Sequence, residues 1–134
     1  MKKIEHIGIA VKDLKAANNL YSKLLNTTPY KTEKVDSENV NTSFFQIGES
    51  KIELLEGTSP DSPISKFIEN RGEGVHHIAF EVDDIEKEIA RLTKEGFQMI
   101  HEKPKDGADN KLIAFLHPKS SNGVLIELCQ EKVS

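Results

Sequence analysis

The chain is as telling for what it lacks as for what it holds. Its 134 residues include one cysteine, Cys129, so no intrachain disulfide can form. That usage suits a reducing compartment, and a cytoplasmic location is expected. No apolar run approaches the roughly 20 residues of a membrane span. The N-terminus is not read as a signal peptide, because Glu5 and His6 interrupt its apolar stretch and Lys12-Asp13 ends it. Positive charge is not in excess. Lysine and arginine number 18 against 22 acidic residues, a net charge of −4, which argues against a nonspecific nucleic-acid binder. No glycine-rich phosphate loop follows a strand, so no nucleotide-binding fold is suggested. What is present is ordinary globular material, with 37% hydrophobic and 30% charged residues. A chain of this length fits one domain, expected over residues 1–134, and buries roughly two-thirds of its unfolded surface.

The organisation is a repeat. Ile4–Val11 alternates as a strand, with Ile7, Ile9 and Val11 on one face and His6, Gly8 and Ala10 on the other. Asp13 can cap a helix carrying Leu14, Ala17, Leu20, Tyr21, Leu24 and Leu25 at helical spacing. Strands are expected at 30–35, 40–47 and 51–56. A linker follows over about 57–74, in which Ser62 and Pro63 can start a short helix. The pattern then restarts. Val75–Val82 alternates, Asp83 or Asp84 caps a helix with Ile85, Ile89 and Leu92, and Gly96 closes it. Strands are expected at 97–102, 112–117 and 123–129. His6–Leu14 aligns with His77–Ile85, and Lys51–Leu55 with Leu125–Cys129. The fold class expected is α+β. Two tandem βαβββ modules, about 1–56 and 75–130, would be related by a pseudo-twofold axis. They would form one curved mixed sheet around a cleft, with helices outside.

The repeat singles out four polar residues. His6 matches His77 and Glu53 matches Glu127, each on the minority polar face of a strand whose other face is aliphatic. A stray carboxylate in a strand is ordinarily solvated, and a lone histidine is ordinarily a surface or hydrogen-bonded core residue. Recurrence in both copies, by type and by facing, sets these four apart. Two imidazoles and two carboxylates suit a divalent cation such as Co, Zn, Mn, Ni or Mg, acting as a Lewis acid. His76 alternates to the opposite face. His101 and His117 have no partner in the other half, and all three are read as structural. Cys129 is read as a packing residue.

On these residues the chain resembles the vicinal oxygen chelate superfamily (glyoxalase, bleomycin resistance protein and dioxygenase), and within it the methylmalonyl-CoA epimerases. The likeness is carried by His6–Leu14, Ile52–Ile85 and Ile113–Leu128, and most specifically by the Ser59–Ile64 and Gly72–His77 stretches. It implies metal ligands at His6, Glu53, His77 and Glu127, with Glu53 where glutamine is often found. The implied reaction interconverts (2R)- and (2S)-methylmalonyl-CoA by α-proton removal and return on the opposite face. Glu127 and Glu53 are the candidate bases. In some members a second glutamate lies at the position of Thr42, which is no general base at neutral pH. Lys103, Lys105, Lys111 and Lys119 surround the last two turns, either solvated or attracting the phosphates of an acyl-CoA. Lys105, Lys119 and Ser120 are the candidate substrate contacts. A homodimer is the family expectation. The alternatives are a glyoxalase-type isomerase on a glutathione hemithioacetal, or a metal-free small-molecule binding module of the same fold.

Overall fold

The computed structural model describes residues 1–133. Its contacts separate into two compact units. One runs from His6 to His76, and the other joins Met1–Glu5 to the chain from His77 onward. The architecture is α+β, a βαβββ module in each unit. Among the described residues no helix is long and apolar enough to cross a membrane.

The first unit contains β1 (Lys3–Ala10, entering the unit at His6), α1 (Leu14–Leu25), β2 (Lys31–Val35), β3 (Val40–Ile47), β4 (Ser50–Gly57) and α2 (Pro63–Arg71). β1 lies parallel to β4, while β3 pairs antiparallel with both β4 and β2. The Asp13 carboxylate accepts from the Ala16 N–H at 3.1 Å and so starts α1. Asn26, in the left-handed region at φ 55°, ends it. The apolar side of α1 packs on one face of the sheet, joining Leu14, Ala17, Tyr21 and Leu25 to Ile9, Val11, Phe45, Ile52 and Leu54. Phe45 and Leu54 are fully buried, each worth about 1.5–3 kcal/mol of transfer free energy.

The segment expected as a linker folds back as α2. The fully buried Ser62 caps it, accepting from the Ile64 N–H at 3.2 Å. Ile64, Phe67 and Ile68 then pack against Ala10, Val35, Val40 and Leu55. Ala10 and Leu55 alternate with Ile9 and Leu54, so α2 covers the sheet face opposite α1. That is the face of His6 and Glu53. The close approach explains Gly57. A Cβ there would run into Ser65 Oγ and come within 2.9 Å of Ser62 Oγ.

The second unit contains β5 (Gly74–Glu81, entering at His77), α3 (Ile85–Lys94), β6 (Lys105–Asp106), β7 (Lys111–Leu116) and β8 (Ile126–Glu131). β5 is parallel to β8, β8 antiparallel to β7, and β7 antiparallel to β6. The connectivity therefore repeats that of the first unit, strand for strand. Asp84, rather than Asp83, caps α3, accepting from the Lys87 N–H at 3.2 Å. Ile85, Ile89 and Leu92 of α3 pack with Val82, Ala114, Leu116 and Leu128. Ala79, Ile113, Phe115 and Cys129 cluster on the other face.

One strand expected from the repeat is absent. Residues 97–102 form no strand, only an isolated bridge from Met99 to Leu116. The reason is local. The Phe115 carbonyl accepts from both Ile100 N–H (2.8 Å) and His101 N–H (3.4 Å), which puts an irregularity where regular pairing would run. The short β6 forms instead within the expected loop, with Lys105 opposite Ile113.

Candidate functional site

Each unit holds one histidine–glutamate pair. In the first, His6 Nδ1 lies 3.0 Å from Glu53 Oε2. In the second, His77 Nε2 lies 3.2 Å from Glu127 Oε1. All four residues are buried, between 4% and 6% exposed. The two pairs are built in the same register. The residue two beyond each histidine sits beside the glutamate on the neighbouring parallel strand, Gly8 beside Glu53 and Ala79 beside Glu127. A phenylalanine faces each glutamate from the antiparallel side, Phe44 opposite Glu53 and Phe115 opposite Glu127. Phe115 packs edge-on against the His77 ring, centroids 5.7 Å apart. Phe44 and Phe115 are 71 residues apart, the same offset as His6 and His77. The sequence thus carries an aromatic repeat alongside the histidine and glutamate one.

Burying a carboxylate is costly unless it is paired or bound to a cation. Here each carboxylate meets an imidazole nitrogen, which can donate a proton to it or share a cation with it. Two donors about 2.1 Å from a divalent ion and about 90–100° apart lie about 3.0–3.2 Å from each other. Both pairs have that spacing. Imidazole nitrogen with carboxylate oxygen is also the donor chemistry such ions take. The residues present thus fit a divalent cation.

Thr42 is buried on the face of His6 and Glu53, between Leu55 and Glu33 in register, and brings no acid–base group there. Cys129 is fully buried beside Glu127 in sequence, with its thiol directed at the Phe80 carbonyl at 3.5 Å, a packing role. His76 packs edge-on against Phe67 at 5.0 Å. His117 Nδ1 accepts from the Lys119 N–H at 3.1 Å and shapes the turn after β7. Ser120 Oγ accepts from the Gln98 N–H at 2.9 Å and pins that turn to the chain after α3. Lys119 lies on the same turn. Lys105 on β6 shares the sheet face of Ile113 and hence of His77 and Glu127. Lys111 belongs with neither solvated lysines nor phosphate contacts. It is 5% exposed and ion-paired with Glu131 at 2.9 Å. Sequence reasoning passed over the burial of Glu5, which is 2% exposed on β1 beside His6, and read His101 as structural only, whereas its ring sits against Phe115.

Residues 5–115 match the family model described as Glyoxalase/Bleomycin resistance protein/Dioxygenase superfamily. The chain is 38% identical to the ethylmalonyl-CoA/methylmalonyl-CoA epimerase of Cereibacter sphaeroides, covering 96% of this chain and 97% of that protein. It is 37% identical to the human mitochondrial methylmalonyl-CoA epimerase, covering 96% of this chain and 73% of that protein. Among solved structures, a variant of Streptomyces coelicolor methylmalonyl-CoA epimerase in complex with 2-nitronate-propionyl-CoA superimposes with a TM-score of 0.95. The match is 34% identical and covers 99% of this chain and 96% of that one.

Proposed function

Because the chain belongs to the methylmalonyl-CoA epimerases of the glyoxalase/bleomycin resistance protein/dioxygenase superfamily, we propose that it interconverts the two C2 epimers of methylmalonyl-CoA. The observation that carries this reading is the duplicated, buried histidine–glutamate pair, preserved in both halves of a chain similar over nearly its whole length to epimerases. His6, Glu53, His77 and Glu127 are the residues proposed to hold a divalent ion. When bound, such an ion stabilises negative charge developing on a carbonyl oxygen.

The proton to be moved sits on a carbon between a thioester and a carboxylate. Its removal leaves an electron pair delocalised onto the thioester oxygen and a planar carbon. Epimerisation then needs one group to take the proton and another to return one on the opposite face. Glu127 and Glu53, one in each unit, are the carboxylates proposed for these roles. In each, one oxygen meets the histidine, and the other is assigned to carry the proton. Lys105, Lys119 and Ser120 are proposed to contact the acyl-CoA. A homodimer and a cytoplasmic location complete the reading.

The test is proton NMR of (2R)-methylmalonyl-CoA in D2O with protein loaded with Co2+, Mn2+ or Zn2+. Loss of the α-proton signal together with appearance of the 2S epimer is expected, and its suppression by a chelator. A loaded protein that leaves both deuterium content and stereochemistry unchanged refutes the assignment.

A further inference from the structure

His101 stands where Tyr30 stands in the first half, 71 residues earlier, and lies against Phe115 as Tyr30 lies against Phe44, with ring centroids 5.8 Å apart in both. The second unit thus puts an imidazole against the aromatic partner of its histidine–glutamate pair where the first has a phenol. Its Nδ1 accepts the backbone N–H of Phe115 at 3.1 Å. A nitrogen that accepts carries no proton, so the ring is neutral and its single N–H is on Nε2. Its ring lies 5.8 Å from that of Phe115, which in turn packs edge-on against His77 at 5.7 Å. Phe115 faces Glu127 directly. The tautomer and the ring position of His101 are thus fixed together, by a main-chain donor and by aromatic contact on the face of His77 and Glu127. Lys105, opposite Ile113, shares that face two residues along β7 from Phe115.

We infer that His101 is a substrate-binding residue whose Nε2–H donates to the free carboxylate of the acyl group. This rests on the epimerase activity proposed above. The chemistry favours a neutral imidazole for the task. A cationic acid next to a carbanion could deliver its proton to the reacting carbon, whereas a neutral N–H is far too weak an acid to do so. It can hold an oxygen in place without joining the proton transfer. Lys105 adds positive charge on the same face, which favours an anionic group there.

The test compares binding of two thioesters to the Co2+-loaded protein by calorimetry. Methylmalonyl-CoA carries the free carboxylate, and propionyl-CoA differs by lacking it. His101→Phe keeps a ring on Phe115 and removes both nitrogens. It is expected to bind methylmalonyl-CoA about 10- to 100-fold more weakly, the range for a hydrogen bond to a charged group, and propionyl-CoA as wild type does. His101→Asn retains an acceptor for the Phe115 N–H and a donor beyond it, and is expected to recover at least part of the lost affinity. Equal weakening of both thioesters, or no weakening of either, in both variants overturns the role. Should wild-type protein fail to prefer the carboxylated thioester, the proposed activity falls and this role with it. Wild-type preference that survives intact in His101→Phe removes His101 alone.

Discussion

Replacing His77 by alanine separates fold from function. The side chain is 5% exposed and makes two contacts that can be sized, the 3.2 Å approach to Glu127 and the edge-on packing against Phe115. A hydrogen bond to a charged group contributes about 1.5–3 kcal/mol and an aromatic pair about 0.5–1.5 kcal/mol. Loss of about 2–4 kcal/mol of stability follows. A domain of this length has of the order of 7–20 kcal/mol to lose from, so the variant stays folded, with a melting temperature lower by about 6–20 °C. Function responds differently. With one of four proposed ligands gone, the site loses its ion, and turnover should drop at least about a thousandfold, about 4 kcal/mol of barrier. Far-UV circular dichroism, thermal melts, elemental analysis of protein purified without chelator and the deuterium-exchange assay measure each part. A folded His77→Ala protein that keeps its metal and full turnover would refute the site.

Thr42→Ala should change turnover less than tenfold, because the hydroxyl is no proton acceptor. A loss above about a thousandfold, roughly 4 kcal/mol, would show that the strand contributes chemistry. Gly57→Ala forces a methyl group against Ser65 and the buried cap Ser62. The expected cost is about 1–3 kcal/mol in a denaturant titration, and an unchanged midpoint would contradict the packing of α2. Hydrogen bonding from Arg91 holds the Glu88 carboxyl below the usual carboxylate range. A depressed folded-state value means stability that is present above the ordinary carboxylate pKa and lost as pH falls through the folded one. Arg91→Met should therefore lower the melting temperature at pH 7 and leave it unchanged at pH 2, and an equal drop at both would exclude the ion pair as its cause. A glutathione hemithioacetal should show no turnover with the loaded protein. Rapid isomerisation of it would replace the epimerase assignment with a glyoxalase-type one.

The helices and most strands were legible because their signals are local. Asp13 and Asp84 announce their helices, and alternation places His6 and His77 on the face away from the aliphatic residues. Residues 97–102 were misread because analogy with the first half supplied a strand that the doubled bonding at the Phe115 carbonyl does not permit. Lys111 was misread as one of several loop lysines. Its burial against Glu131 depends on a strand pairing twenty residues away.

The sequence alone determined the duplication and the pairing of residue types within it, since period-two alternation and capping are properties of short stretches of chain. It also determined which histidine and which glutamate share a facing within each half. Only the tertiary structure decided that α2 folds back onto the face of His6 and Glu53, and that a main-chain N–H fixes the tautomer of His101. Contacts of that kind join residues far apart along the chain or set by an irregular backbone, and no periodicity records them.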